Sequence, residues 1–298
     1  MQNKIEFYCW ACDFENNTGE GNLARLFIKK NYALGKCRVF TLNNIKILNY
    51  KYLSPLIGIL FCWYFFITKK KAIYLNYLPL WNFLLFIFLP PNTIFGPITG
   101  GAFYKKKNFL RKIFFPFFYK ISEFFLNLRN IKIYFSTGLL KQYLNKTTIK
   151  RSSFNYVLNY YKKKNIQPKI IDFLIYYRTH KNKESFFPYN LIKTLVQLNY
   201  KVHIVGDFLK NVRVVNHGKL NNNNINKLLS KTYFSIASEE NIYSIFTMEC
   251  INNSVKVLVD NQQKGKIKFF RKDFIMLNLK NRFELNKLKD KNITFSKN

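Results

Sequence analysis

In the second half of the chain, short apolar runs alternate with segments whose apolar residues recur every three or four positions. The short runs are typical of buried parallel strands, and the periodic segments are typical of helices. We predict strands at residues 169–177, 201–206, 212–215, 233–237 and 255–259. We predict one helix that begins at Pro188 and two more at residues 222–230 and 245–252. Strands that alternate with helices predict an α/β domain with a parallel sheet covered on both faces.

The first half shows the same alternation with less regular spacing. We predict strands at residues 5–11, 37–42, 72–76 and 131–136, and a helix at residues 22–30 that follows a loop containing Gly19 and Gly21. Residues 160–168, with three lysines and a proline, are typical of a linker. The predicted architecture is therefore two Rossmann-like parallel-sheet domains, residues 1–158 and 169–298, which face a cleft with ligands at the carboxyl ends of the strands.

Two long apolar segments, residues 52–68 and 78–95, could be mistaken for membrane spans. Each is at or below the roughly 20 residues that a spanning helix needs, and prolines interrupt both. We predict buried helices or a face that dips into a membrane surface. The aromatic segment 109–119, flanked by basic residues, favours the second interpretation. Residues 1–14 do not resemble a secretory signal, so we expect a cytoplasmic protein, with peripheral contact to the inner face of an anionic membrane as a further hypothesis.

The chain carries 49 Lys and Arg against 15 Asp and Glu, a formal net charge of +34. Lys is far more frequent than Arg, and Asn, Ile, Phe and Tyr are abundant, which is the profile of A/T-rich codons. Nucleic-acid binders usually concentrate Arg, so we favour codon bias and expect no specific nucleic-acid partner. Such a surface would still be attracted to anionic lipid headgroups.

Several chemistries are absent from the sequence. Cys9 and Cys12 lie three apart in a predicted strand, where they would point to opposite faces, which disfavours a redox pair. The chain has no zinc-ligand spacing and no phosphate-binding glycine loop that ends in Lys-Ser or Lys-Thr. We therefore expect no metal site and no cofactor.

Charged residues follow the predicted strands of the second half. Arg178 and Lys183 come after its first strand, where two cations could hold a diphosphate and stabilise it as a leaving group. Gly206 ends the next strand, where the backbone must approach another group closely. Ser244 begins a helix whose N–H groups could bind phosphate oxygens, and Glu249 lies one turn later, where a carboxylate could hold a ribose diol.

This arrangement resembles the second domain of the retaining glycosyltransferases with the two-domain GT-B architecture, the group that includes glycosyltransferase family four. The matching segments are Tyr177-Arg178-Thr179 with Lys183, Ile204-Val205-Gly206-Asp207, His217-Gly218-Lys219-Leu220, residues 238–249 and residues 255–260. This chain has Tyr177 where the family has glycine, and eight residues rather than seven between the two glutamates. In the first half, residues 16–25 and the segment Gly96-Pro97-Ile98-Thr99-Gly100-Gly101 resemble flexible loops of that family more loosely.

The resemblance implies a role for each matched residue. Arg178 and Lys183 would contact the donor diphosphate, and Glu249 would hold the ribose. Glu240, with Glu239 as the less favoured choice, would hold hydroxyls of the donor sugar as part of the catalytic set. The remaining donor-site residues would be Gly206, Asn241, Ser244 and Ile245, and the acceptor-side loops would contain Gly19, Gly21, Gly96 and Gly100.

The resemblance further implies a function. The protein would pass a hexose-like sugar from a nucleotide-sugar donor to a glycan or lipid-linked acceptor, with retention of configuration and without a metal, as in polysaccharide biosynthesis. The absence of an Asp-x-Asp sequence agrees with a metal-independent enzyme. The alternative is a non-catalytic basic protein that binds a membrane surface or nucleic acid.

Overall fold

A parallel β-sheet forms the centre of each half of the chain. The computed structural model describes residues 5–15, 18–32, 34–41, 53–100, 109–129, 131–163, 167–179, 187–239 and 241–290. The chain divides between Asn159 and Tyr160 into an N-terminal unit and a C-terminal unit. A separate hydrophobic core lies in each of them.

The N-terminal sheet contains four parallel strands in the order β2-β1-β3-β4. The strands are β1 (Phe7–Ala11), β2 (Cys37–Phe40), β3 (Lys71–Asn76) and β4 (Ile94–Phe95). A two-stranded parallel sheet of β5 (Ile133–Tyr134) and β6 (Ser152–Ser153) follows. The helices of this unit are α1 (Gly19–Asn31), α2 (Ser54–Ile67), α3 (Phe83–Phe88), α4 (Phe109–Leu128) and α5 (Lys146–Arg151).

The strand order fixes the faces that the helices cover. The chain moves from β1 to β2 in one direction and from β2 to β3 in the other, so right-handed crossovers place α1 and α2 on opposite faces of the sheet. The step from β3 to β4 places α3 on the same face as α2. Helix α4 packs on α3, with the Phe83 and Phe118 ring centroids 5.0 Å apart.

The C-terminal sheet contains six strands, all parallel, in the order β12-β11-β10-β7-β8-β9. They are β7 (Ile171–Tyr177), β8 (Val202–Gly206), β9 (Val215–Asn216), β10 (Thr232–Ile236), β11 (Lys256–Asp260) and β12 (Phe274–Leu277). The helices are α6 (Tyr189–Gln197), α7 (Asn222–Leu229), α8 (Ile245–Asn252) and α9 (Arg282–Lys287). Counted from β7, this is the 3-2-1-4-5-6 order of the doubly wound nucleotide-binding sheet. The predicted α/β class with parallel sheets is confirmed.

The predicted conformation of two glycine segments is wrong. Gly19 and Gly21 lie in the first turn of α1 rather than in a loop, because Thr18 caps the helix and its Oγ1 accepts a hydrogen bond of 3.0 Å from the Gly21 N–H. The segment from Gly96 to Gly100 is not a flexible turn. The Ile98 N–H donates a hydrogen bond to the Tyr134 carbonyl, and the Thr99 N–H donates one to the Leu78 carbonyl. Most of the segment is buried.

The long apolar segments form α2 and α3, whose inner residues belong to the core. Within the described ranges, no helix is both long and apolar enough to cross a bilayer. Helix α2, for example, has 14 residues.

Gly206 is required where β7 and β8 end side by side. Its φ of +108° is disfavoured for other residues, and a Cβ atom there would lie 2.1 Å from the Tyr177 carbonyl oxygen. We expect Gly206→Ala to lower the free energy of unfolding by more than about 2 kcal/mol, because backbone atoms must shift. Urea denaturation measures this change. Gly265→Ala is the control, since a Cβ atom at Gly265 has no neighbour within 4 Å; equal losses in both variants would contradict the prediction.

Candidate functional site

The carboxyl ends of β7 and β10 form the switch point of the C-terminal sheet. These two strands are neighbours, but the chain leaves β7 toward β8 on one side and β10 toward β11 on the other. Crevices at such points are where doubly wound sheets bind ligands. Arg178 directly follows β7, and the segment that follows β10 leads into α8. The ring of Tyr176 lies 5.6 Å from the ring of Phe246, which places the first turn of α8 beside the end of β7.

The loop that carries Arg178 is held by Asp207. The Thr179 N–H and hydroxyl both donate to Asp207 Oδ2, at 2.8 and 2.6 Å, and the Asp207 N–H donates to the Tyr177 carbonyl at 2.9 Å. Lys219 Nζ lies 3.4 Å from Asp207 Oδ1. The hydrogen bonds from Thr179, assisted by Lys219, lower the pKa of Asp207. The exposed Arg178 side chain therefore leaves a backbone that is fixed on both sides.

The start of α8 has the features of an anion site. Ser244 is the N-cap, and its Oγ accepts a 3.0 Å hydrogen bond from the Thr247 N–H. An α-helix leaves its first N–H groups without partners inside the helix, so the Ile245 and Phe246 N–H groups remain for a ligand or solvent. The positive end of the helix dipole adds to their attraction for a phosphate. The predicted residues Arg178, Ser244 and Ile245 are therefore brought to one edge of the sheet.

Glu249 lies one turn into α8 and is buried. Its Oε1 accepts a hydrogen bond of 3.3 Å from the Tyr160 hydroxyl. Asn252, on the same helix, accepts from the Lys162 N–H and donates to the Tyr160 carbonyl. These bonds attach the start of the C-terminal unit to α8. Contact between Glu249 and a ribose stays a prediction.

The other predicted donor residues are Lys183, Glu239, Glu240, Asn241 and Gly206. Lys183 and Glu240 lie outside the described residues. Glu239 is exposed and Asn241 is half-buried, and both belong to the segment between β10 and α8. Gly206 approaches the backbone of β7, so the group that it approaches closely belongs to the chain itself.

A second switch point lies between β1 and β3 of the N-terminal sheet, where the order β2-β1-β3-β4 reverses direction. Asp13 follows β1 and is buried. The Thr18 hydroxyl donates to its carboxylate, and so does the Tyr77 hydroxyl, with 3.0 Å to Oδ2. Glu20, in the first turn of α1, interacts with Asp13 electrostatically and accepts a hydrogen bond from the Thr99 side chain.

The pKa of Glu20 is shifted strongly by its surroundings. Burial and, to a smaller extent, the charge of Asp13 raise the pKa of Glu20, the hydrogen bond from Thr99 opposes both effects, and the net pKa is about 7. Burial and Asp13 also raise the pKa of Tyr77. A carboxyl group with a pKa near neutrality can both accept and donate a proton at physiological pH. Glu20 lies between Gly19 and Gly21, and Thr99 precedes Gly100, so two predicted acceptor-side segments meet at this pair.

Sequence reasoning missed Asp13 and Glu20. Asp13 and Tyr77 are 64 residues apart, and only the parallel pairing of β1 with β3 brings them together. The sequence did contain one signal for this site. Asp13 lies two residues after a predicted buried strand, at the carboxyl end of the sheet, where ligands bind.

Two other features of the N-terminal unit, an apolar cavity and the cysteines, do not favour a reactive site. A cavity of about 500 Å³ lies between α2 and the β1–β2 edge of the sheet. Its lining is mainly apolar, with Arg38 beside the ring of Phe40, and it contains none of the predicted site residues. Cys9 is buried and its pKa is raised by burial, which disfavours thiolate chemistry. Within the described ranges, no group of three or more His, Cys, Asp or Glu side chains could hold a metal ion.

No protein-family model matches the chain, and no curated protein sequence matches it significantly. Its structure is similar to that of a glycosyltransferase from Rickettsia africae ESF-5, with 13% identity over 97% of this chain and 88% of that chain and a TM-score of 0.53. The fold is that of a GT-B glycosyltransferase. Two looser matches are E. coli heptosyltransferase WaaC with ADP-2-deoxy-2-fluoro heptose (8% identity, 96% and 99% covered, TM-score 0.39) and S. aureus MnaA with UDP (9%, 97% and 87%, 0.45). A shared fold does not by itself assign an activity.

The raised pKa of Glu20 predicts a pH-dependent stability. Because the folded state keeps Glu20 protonated up to about pH 7, whereas the unfolded state ionises near pH 4.5, the wild-type protein loses stability as the pH rises between these values. We expect Glu20→Gln to remove this loss, which amounts to roughly 3 kcal/mol. Urea denaturation at pH 5 and pH 8 measures it. Glu15→Gln controls for the loss of one exposed charge nearby; if Glu20→Gln and Glu15→Gln followed the same pH dependence, the assignment would fail.

Proposed function

We propose that the protein is a glycosyltransferase that moves a hexose-like sugar from a nucleotide-sugar donor to a glycan or lipid-linked acceptor, as in polysaccharide biosynthesis. One observation carries the proposal. Arg178 and the N-terminus of α8 meet at the switch point of a 3-2-1-4-5-6 sheet, where nucleotides bind in sheets of this order. The fold shared with the Rickettsia africae glycosyltransferase supports it.

The donor would bind to the C-terminal unit. Its diphosphate would lie between the Arg178 guanidinium and the first N–H groups of α8, with Lys183 as a further cation. During transfer, the bond between the anomeric carbon and the diphosphate oxygen breaks, and negative charge accumulates on the leaving diphosphate. Fixed cations and aligned N–H groups stabilise that charge without a metal ion. Because Asp207 fixes the loop on both sides of Arg178, little of this stabilisation is lost to reorganisation.

The acceptor would bind to the N-terminal unit. The carboxylates of Asp13 and Glu20 can accept hydrogen bonds from the hydroxyl groups of a sugar, and Glu20 would orient the hydroxyl that attacks. We propose retention of configuration. In this mechanism the departing diphosphate oxygen takes the proton of the acceptor hydroxyl as the new bond to the anomeric carbon forms on the same face. Glu240, or Glu239, would hold hydroxyls of the donor sugar.

We also propose a cytoplasmic location with peripheral contact to an anionic membrane. The competing function is that of a non-catalytic basic protein that binds a membrane or nucleic acid. Exposed apolar helices in the N-terminal unit agree with membrane contact under either function, so the nucleotide site distinguishes them. The donor experiment therefore decides between an enzyme and a binding protein.

Donor binding is tested by thermal melting with a panel of nucleoside diphosphates and nucleotide sugars. We expect one of them to raise the melting temperature by several degrees. Arg178→Ala should weaken that ligand's affinity about 10- to 100-fold, because a charge-assisted hydrogen bond to phosphate is lost. Arg282→Ala is the matched control, since it removes an exposed arginine at the start of α9, the helix that follows β12, and β12 lies three strands from β7 in the sheet. No shift with any nucleotide, together with salt-sensitive binding to DNA or vesicles, would support the competing function.

Stereochemistry is tested by NMR of the first product formed. We expect the anomeric configuration of the transferred sugar to equal that of the donor, and we expect Glu20→Gln to lower kcat by about 10-fold or more through loss of acceptor orientation. A product of opposite configuration, with activity that depends on an ionised Glu20, would instead make Glu20 the general base of an inverting enzyme. Either result keeps the glycosyltransferase assignment, and only the first keeps retention.

A further inference from the structure

The exposed large apolar side chains are concentrated on one part of the N-terminal unit. Within the described residues 22 such side chains are exposed, and 14 of them lie on α2, α3 and α4 or within two residues of the start of these helices. We call this set the apolar layer: Leu53, Leu56, Leu60, Trp63, Tyr64, Ile67, Trp81, Leu84, Phe88, Ile113, Phe114, Phe117, Phe124 and Leu128. Single exposed apolar residues are common on proteins, but a cluster of this size marks a contact surface.

The three helices form one continuous surface. The Trp63 indole N–H donates to the Phe88 carbonyl at 2.8 Å and so joins α2 to the end of α3. The stacked rings of Trp81 and Phe115 lie 5.6 Å apart and join the start of α3 to α4. The crossovers place α2 and α3 on the same face of the sheet. The layer is therefore one side of the unit and not three separate patches.

Helix α2 is apolar on both of its sides. Gly58, Cys62 and Phe65 are buried against the sheet, while Leu60 and Ile67 are 61% and 74% exposed on the outer side. An amphipathic surface helix would carry polar residues there, and a helix that is apolar all round is normally surrounded by apolar material. With 14 residues, α2 extends about 21 Å and cannot cross the roughly 30 Å hydrocarbon core of a bilayer. It can lie along the surface of one.

The charge around the layer indicates the chemistry of its partner. From residue 21 to residue 159 the chain has 22 Lys and Arg but a single acid, Glu123, which is buried. Helix α2 ends beside three consecutive exposed lysines, Lys69, Lys70 and Lys71. Among the described residues of this stretch no exposed carboxylate would repel an anionic surface, and the lysines would attract one; Glu6, the exposed acid that Lys71 influences, is paired with Lys36. Trp63 and Trp81, on the layer, belong to the residue type that concentrates at the headgroup level of membranes.

We propose that the apolar layer is a membrane-binding face that rests on the headgroup region of an anionic phospholipid bilayer. Leu, Ile and Phe side chains of α2, α3 and α4 would enter the acyl boundary, and the lysines after α2 would contact lipid phosphates. This assigns a surface and an orientation to the membrane contact that forms part of the proposed function. The N-terminal unit would lie with the α2–α4 face of its sheet toward the lipid and its α1 face away from it.

The full chain is tested with vesicles of 70% phosphatidylcholine and 30% phosphatidylglycerol, and with vesicles of phosphatidylcholine alone. Two of the three tryptophans lie on the layer and the third, Trp10, is buried, so tryptophan emission reports this face. We expect a blue shift with anionic vesicles, quenching by brominated lipids, and binding at least 10-fold weaker without phosphatidylglycerol or at high salt.

The double variant Leu60→Glu with Phe117→Glu should bind anionic vesicles at least 10-fold more weakly. Its matched control is Phe208→Glu with Phe283→Glu, which changes equally exposed side chains of the C-terminal unit and should bind as the wild type does. Far-ultraviolet circular dichroism checks that each variant is folded. A nucleotide-induced melting shift without lipid reports the donor site separately, so loss of one activity does not mimic loss of the other.

Three results would overturn the proposal. The first is the absence of vesicle binding by the wild-type protein. The second is an equal loss of binding in both double variants, which would mean that net charge alone attracts the protein. The third is a combination of two observations. The wild-type protein would be a dimer in analytical ultracentrifugation that the double variant Leu60→Glu with Phe117→Glu dissociates, and vesicles would leave the tryptophan emission unchanged. The layer would then be covered by a second copy of the chain.

Discussion

Strands β7 and β10 are paired in parallel, and β8 and β11 lie on opposite sides of this pair, so the chain leaves the two strands in opposite directions. The candidate donor site depends on that divergence. Arg178 and Ile245 are 67 residues apart in the chain, yet the pairing brings the ends of their strands together. The site then needs few special residues. A capped helix start supplies N–H groups, and one carboxylate, Asp207, fixes the loop that presents the arginine.

The two units use the same topological feature with opposite electrostatics. The C-terminal switch point offers a guanidinium and a helix N-terminus, which favour a phosphate. The N-terminal switch point offers two carboxylates, and burial, together with the charge of Asp13, raises the pKa of Glu20 so that it stays protonated up to neutral pH. An anionic ligand would be repelled by these carboxylates. A neutral ligand rich in hydroxyl groups could instead form the hydrogen bonds that water otherwise forms with them. This difference is the physical reason to assign the nucleotide to one unit and the acceptor to the other.

Local patterns predicted the C-terminal unit well because its strands are apolar runs bounded by polar turns. The predicted bounds of α8 agree with the structure at both ends, since Ser244 is a strong cap and Asn253 follows the last helical residue. Strand β12 and helix α9 were not predicted, because Phe274–Leu277 is short and little alternation precedes it. In the N-terminal unit, Gly19 and Gly21 indicated a loop, but the cap at Thr18 overrides their low helix propensity. The Asp13–Glu20 pair required the long-range register of β1 and β3, which no local pattern contains.

Composition alone could not explain the high positive charge, because codon bias and selection for an anionic partner both give many lysines. The structure adds the arrangement of charge relative to exposed apolar surface. Codon bias enriches Phe, Ile and Lys throughout the chain, and it would leave exposed apolar residues on both units in similar numbers. The described residues instead hold 14 of 22 on or directly before three helices of one unit, within a stretch that has one buried acid. Burying those side chains in the core would have been favourable by about 1.5 to 3 kcal/mol each, so their exposure on one face is better explained by a partner that covers them.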